Sequence, residues 1–228
     1  ICNGRTFLYK IYRHPFSRVR GEIKVTRITP LNRENLPDLD EKFFKPYEAT
    51  RGYVPNSNLV MARRPKLLAA FRALNQAIFD SENSVSPETL SLCGNIASQT
   101  AGCRYCVAHT ANNAQMRGVH EKKIAKIWEY ETSDLFTDAE CSALRFAQAA
   151  ASVPNLVEDE DVEAVKEFYG EDGVVEILAV VSFYGFLNRW NDSLATELEE
   201  VAFNNASELL IETKWNPGKH RPKIKHKG

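Results

Sequence analysis

Cys103, Cys106 and His109 stand three residues apart in the stretch Ala101-Gly102-Cys103-Arg104-Tyr105-Cys106-Val107-Ala108-His109-Thr110. Two cysteines at that interval near a helix start share one face, with Cβ atoms roughly 5 to 6 Å apart, and a modest closure lets them form a disulfide. The unpaired N–H groups and partial positive charge of a helix N-terminus, with Arg104 beside them, favour a thiolate, the nucleophilic form of sulfur. That effect fades within a turn, so helix physics alone makes Cys103 the more acidic thiol. Other uses of a Cys-x-x-Cys compete. Covalent haem attachment needs His directly after the second cysteine, and Val107 stands there. A thioredoxin-like site expects a βαβ setting. Structural zinc takes four ligands, whereas Cys103, Cys106 and His109 supply at most three, and Cys93 or Cys141 would have to be brought in by the fold. Neither a metal nor another cofactor is expected. The plainest alternative makes the two cysteines small buried hydrophobes.

The elements that must position this segment read as helices from Leu39 onward. Leu67, Phe71, Leu74 and Ile78 recur at helical spacing behind Pro65, which suits a first helical turn. Ser86-Pro87-Glu88 opens a helix toward Thr100, and Gly118 closes the one that begins near Cys103. Ile124, Ile127 and Trp128 mark another helix. Thr137-Asp138-Ala139-Glu140 has capping-box spacing ahead of Leu144. Val162, Val165, Phe168 and Tyr169 lead to a break at Gly170, and Val174 to Leu194 is apolar nearly all round, the pattern of a central helix covered by its neighbours. A last helix spans Glu197 to Leu210. Only Ile23 and Val25 hint at an extended segment or edge strand, so the fold class is all-α.

The chain has 228 residues, 43% hydrophobic and 26% charged, which describes a globular protein with a sizeable core. Its longest nearly apolar run, Ile177 to Leu187, falls short of the ~20 residues that span a bilayer, so no membrane partner is expected. Net charge is -1, but residues 1–27 hold seven Lys/Arg against Glu22 alone, and residues 214–228 hold six against no acid, leaving about -13 on the middle. No aromatic ladder, helix-turn-helix or zinc knuckle accompanies these basic ends, so they read as solvated tails and nucleic acid is not an expected partner. Five cysteines, unevenly spaced, do not make a disulfide scaffold, and the reading is cytoplasmic. The chain begins with Ile1; an Arg-rich, acid-poor start would also suit part of a transit segment, which would place the protein in an organelle matrix.

Gly52-Tyr53-Val54-Pro55-Asn56, then Met61-Ala62-Arg63 and Pro65-Lys66-Leu67-Leu68-Ala69-Ala70-Phe71, then Cys103-x-x-Cys106-x-x-His109, then Phe186-Leu187-Asn188-Arg189-Trp190-Asn191-Asp192, follow one another in the chain. In these motifs the sequence resembles the carboxymuconolactone decarboxylase and alkylhydroperoxidase D-like family, especially its peroxidase-related branch. The resemblance covers about Val25 to Asn204. It divides the chain into a basic N-terminal extension (residues 1–24), one helical domain (25–204), and a C-terminal segment of helix end and basic tail (205–228). It implies a homo-oligomer, a trimer or hexamer, whose dithiol cycles to a disulfide while reducing a hydroperoxide, with electrons from an unidentified dithiol or lipoyl-type reductant. On that precedent Cys106 is the residue attacked by peroxide and Cys103 resolves it, against the order that helix physics favours.

Active relatives also carry a Glu twelve residues before the first cysteine and a His four residues after the second, as a proton relay; Ser91 and Thr110 occupy those positions. Of the two adjacent His found after the motif in many relatives, His109 remains, about 60° round the helix from Cys106. It is the candidate third catalytic residue, weighed evenly against a histidine held in packing. Glu88, near a helix start, serves the helix dipole more naturally than a relay. Asn188, Asn191 and Asp192 end an apolar helix and need polar partners. His120 reads as a surface residue, Tyr105 and Trp190 as packing residues. Two further functions stay open: a scaffold with a decayed relay that binds or assembles, and a decarboxylase of the kind that gives the family its name, which a redox cysteine pair argues against.

Overall fold

A computed structural model describes residues 26–80 and 82–223, and among these every regular element is helical. A short turn of helix at Pro37–Leu39 (α1) and a π-helical turn at Asp40–Phe44 lead into Lys45–Arg51 (α2). Asn56–Met61 (α3) and Pro65–Ile78 (α4) follow, then Pro87–Thr100 (α5) and Arg104–Met116 (α6). After Glu121–Ala125 (α7) come Asp138–Ala151 (α8), Asp159–Leu194 (α9) and Glu200–Leu209 (α10). The ends fall where local chemistry puts them. Ser86 Oγ accepts from Thr89 N ahead of α5, and Thr137 and Glu140 form the reciprocal capping box of α8. Gly118, at φ +90°, ends the α6 segment, and Gly170, at φ +69°, breaks α9 where the sequence places a stop. The expected strand at Ile23 and Val25 lies outside the described residues.

The core forms where α5, α6, α8 and α9 pack on one another. The central helix is α5, not Val174 to Leu194: every α5 residue from Thr89 to Ser98 is buried, whereas α9 leaves Val175 67%, Leu178 43% and Phe186 40% exposed. Small residues explain the difference. Ser91, Cys93, Gly94, Ala97 and Ser98 let neighbours approach α5 from several sides, so it needs no broad apolar stripe to be enclosed. In α4 the buried residues are Leu68 and Ile78, while Leu74 points outward. The helix expected at Ile124 to Trp128 is split into α7 and a 3-10 turn Ile127–Glu129, with Trp128 on the surface.

Gly94 sets the distance between α5 and α9. A Cβ built there would lie 2.4 Å from Tyr184 Cε2 and 2.7 Å from its Cδ2. Alanine gains about 1 kcal/mol in helix propensity but must displace a buried ring, at about 1 to 3 kcal/mol. Gly94→Ala is therefore expected to lower the urea midpoint; an unchanged or raised midpoint would show that the Tyr184 ring yields freely.

The C-terminal segment is not the solvated tail that its charge suggests, as far as Arg221. Turns at Ile211–Thr213 and Gly218–His220 fold it back over α6, Leu198 N donates to His220 O at 2.9 Å, and His220 is 1% exposed. Trp215 packs on Phe203 at the core edge. Apolar burial by these residues outweighs the preference of the adjacent lysines for water.

Candidate active site

Gly102, at φ +71°, makes the tight turn between α5 and α6, and this delivers Cys103 to the N-cap of α6 and Cys106 to its first turn. Both thiols are free and buried, 0% and 2% exposed. A hydrogen bond from the Cys106 side chain holds the Cys103 thiol below the usual range against the effect of burial, helped by the backbone N–H groups of Cys106 and Tyr105. Burial, and the bond to Cys103, push Cys106 well up. Cys103 is thus the more acidic of the two thiols, the order a helix terminus favours. Asn191 Nδ2 faces Cys106 Sγ at 3.6 Å and weakly opposes the upward shift.

Cys106, not Cys103, lines a cavity of about 50 Å³, space for a few water-sized groups. Tyr105, His109 and Asn191 share its wall. His109 is buried and held from both sides: Nε2 lies 2.8 Å from Glu199 Oε2, and Nδ1 lies 3.3 Å from the Tyr53 hydroxyl. Tyr105 Oη donates to Glu199 Oε1 at 2.9 Å, and its ring stacks on His109 with centroids 4.4 Å apart. Tyr105 packs in the core as the sequence reading has it, and it also touches His109 and Glu199. Burial, with the charge of Glu199, raises both tyrosine hydroxyls, so they stay protonated and able to donate.

Behind Cys103 stands a second set. Cys103 Sγ, a carboxylate oxygen of Asp192 and a ring nitrogen of His220 all lie within 4.8 Å of one another. His220 Nδ1 is 2.7 Å from Thr196 O, and since a carbonyl only accepts, Nδ1 carries the hydrogen. The lone pair of the neutral ring is then on Nε2, buried, without a hydrogen bond among the described residues, and 3.5 Å from Asp192 Oδ1. Burial holds the imidazole below its ordinary value, against Thr196 and Asp192. Burial would raise the Asp192 carboxyl, but Lys219, 2.7 Å away, and His220 outweigh it and keep it low. Three ligand atoms fall short of a closed zinc shell, and the trio has the composition of a thiol, a base and a carboxylate that would stabilise the base once protonated.

Ser91 and Thr110 take no part in a relay. Ser91 Oγ donates to Pro87 O at 2.6 Å, and Thr110 Oγ1 donates to Cys106 O at 2.7 Å while accepting from Asn95 Nδ2 at 2.9 Å. Thr110 is 1% exposed. Thr110→His, which would restore a relay imidazole by position, is expected instead to lower the thermal midpoint, because overpacking a buried site costs about 1 to 3 kcal/mol and the bond from Asn95 Nδ2 is lost. A stable variant with raised turnover would reverse that expectation. Glu88 is exposed at the start of α5, and His120 caps α7 through Lys122 N. Cys93 is wholly buried with its thiol pushed up by desolvation, and Cys141 is half-buried and likewise raised. Asn188 is buried with Oδ1 unpartnered, and Trp190 stacks on Phe186 away from the thiols. Sequence reasoning missed Glu199 and His220. Glu199 precedes a helix and His220 sits in a lysine-rich stretch, so neither carries a local signal; Tyr53 at least lies in a quoted motif.

Within this helical chain, residues 65–149, which include the Cys-x-x-Cys at the α5–α6 turn, match the model of the carboxymuconolactone decarboxylase family. Two structures of the debrominase Bmp8 extend the match across the domain. A cysteine-to-alanine variant in complex with 2,3,4-tribromopyrrole is 32% identical, covering 81% of this chain and 97% of that one at a TM-score of 0.73. The apo form is 33% identical, covering 80% and 97% at 0.72. The chain belongs to the carboxymuconolactone decarboxylase family. An alkylhydroperoxidase AhpD core protein, an uncharacterized peroxidase-related protein from Ralstonia eutropha JMP134, shares the fold at 19% identity and a TM-score of 0.70, over 87% of this chain and 98% of its own. The uncharacterized protein YnjA of Escherichia coli K12 is 24% identical over 110 residues, a match that spans 48% of this chain and 60% of that protein. No described helix is long and apolar enough to cross a membrane.

Proposed function

We propose that this protein is a dithiol-dependent reductase in which Cys106 attacks an electrophilic atom of a small substrate and Cys103 then closes the disulfide. The observation that carries it is the placement of the pair: Cys106 on the cavity wall, Cys103 behind it between Cys106 and the His220–Asp192 base. Cys106 passes its proton to Cys103 along their shared hydrogen bond and becomes the attacking thiolate. With a hydroperoxide, Cys106 sulfur takes the terminal oxygen, the O–O bond breaks, and the departing alkoxide takes a proton from the hydroxyl and imidazole groups around Glu199. Cys103 yields its proton to His220 Nε2 and displaces water from the oxidised Cys106. With Cys103 entering the cycle as the thiolate, one thiol, one thiolate, a hydroperoxide and a solvent proton that restores the donor beside Glu199 give an alcohol, water and a disulfide, and an external dithiol resets the pair. The assembly expected with this chemistry is a homo-oligomer, to which exposed Val175, Leu178 and Phe186 contribute apolar surface.

The match to a debrominase favours a second substrate class. Sulfur attacks the halogen of a carbon–halogen bond, the bonding pair stays on carbon and takes a proton, and Cys103 then releases halide; the sum is an aryl halide and two thiols giving an arene, hydrogen halide and a disulfide. Counting free thiols before and after treatment of the reduced protein with tert-butyl hydroperoxide, and separately with a bromopyrrole, tests both. Loss of two thiols per chain, at Cys103 and Cys106, supports the reading. Retention of all thiols with both substrates rejects it in favour of a binding scaffold.

A further inference from the structure

The cavity beside Cys106 has a positive wall that the dithiol step does not use. Arg51 at the end of α2, Arg72 in α4 and Arg117 at the end of α6 all line it. Their guanidinium groups sit over aromatic rings: Arg51 and Arg72 are 4.7 and 4.6 Å from the centre of Tyr47, and Arg117 is 4.3 Å from that of Phe79. Asn113 ties two of them together, its side-chain oxygen accepting from Arg51 and its carbonyl from Arg117 at 3.4 Å. Among the described residues, none of the three has a carboxylate within 4.0 Å, the reach of an ion pair, although ion pairs elsewhere in the chain are common. Glu199, the acid in the same site, already accepts from Tyr105, His109 and Asn56 N.

Three half-buried cations on one small cavity repel one another and lose hydration, and both costs are relieved by an anion placed among them. Arginine rather than lysine, set over rings, matches the plane and fork geometry of a delocalised anion. The cavity of about 50 Å³ is far below the ~300 Å³ of a drug-sized site but is partly open to the surface, so it takes the charged group of a small ligand whose remainder extends outward. We propose that Arg51, Arg72 and Arg117 form a subsite for the negative group of a small, planar organic anion, holding it with its reacting end toward Cys106. Which bond then reacts rests on the dithiol reading; the binding does not.

Calorimetric titration of the reduced, full-length protein with benzoate and with its neutral isostere benzamide tests this without turnover. Benzoate is expected to bind at least about tenfold tighter than benzamide, since a charged hydrogen bond contributes about 1.5 kcal/mol or more. Arg72→Gln and Arg117→Gln should each remove that preference while keeping helical circular dichroism. Should either variant fail to fold, Arg72→Lys, which keeps the charge and loses the fork, should weaken benzoate selectively. Because binding is read on the reduced protein with no oxidant present, a protein that prefers benzoate yet keeps all its thiols with hydroperoxide would retain the subsite and lose the dithiol reading, which separates the two failures. Equal binding of benzoate and benzamide, no binding of either, or a benzoate affinity indifferent to these arginines would overturn the proposal.

Discussion

Cys106→Ser is expected to abolish substrate-dependent disulfide formation, with turnover falling by at least about a thousandfold, the scale on which loss of a covalent nucleophile is felt. Serine keeps the size of the side chain, and the cavity wall needs nothing else from Cys106, so the fold should persist. Cys103→Ser is expected to differ in kind. Cys106 would still be attacked once, and after hydroperoxide a sulfenic acid on Cys106 should be trapped by dimedone, because no neighbour remains to resolve it. Mass spectrometry of the labelled peptides decides between the two orders. If Cys103→Ser is inert and Cys106→Ser carries the label, the resting thiolate at Cys103 is itself the attacking group, and the cavity is not where substrate meets sulfur.

Removing the base behind Cys103 should slow the second half of the reaction. His220→Gln is expected to reduce the rate of disulfide closure at neutral pH by about a hundredfold, the lower part of the range for positioned acid–base groups. Its signature is a pH profile. A base must be neutral to act, so closure is lost as pH falls through the pKa of His220; burial has lowered that value, so closure should hold below the ordinary 6.5. In the glutamine variant, closure should instead climb with pH toward the ionisation of the thiol itself. Asp192→Asn, which acts through His220, should shift the same profile by less. A profile unchanged by His220→Gln would assign the ring to packing alone.

The chemistry-bearing segment was legible because its logic is local. Helix start, cysteine interval and N-terminal charge all arise within residues 101–110, and the structure keeps each of them. The caps at Ser86 and Thr137 and the breaks at Gly118 and Gly170 were legible for the same reason: they depend on neighbours three or four residues away. Which helix is central was not, because apolarity along α9 states what it can bury, while enclosure of α5 depends on small residues whose effect exists only once α6, α8 and α9 surround them.

The site divides in the same way. Sequence by itself determined that two cysteines share a helix start, that His109 stands one turn on, and that Ser91 and Thr110 replace a carboxylate and an imidazole. Only the tertiary structure decided what surrounds them. Glu199 reaches His109 across 90 positions, and Asn191 reaches Cys106 across 85. His220 enters from a segment whose composition suggests a solvated tail. Arg51, Arg72 and Arg117 are ordinary helix-surface residues in sequence, made into one wall by three helices meeting at Tyr47, Phe79 and Asn113. Proton transfer and charge recognition act over a few ångströms whatever the separation along the chain, so these contacts have no periodicity or motif to announce them; they exist because burying α5 brings those elements together.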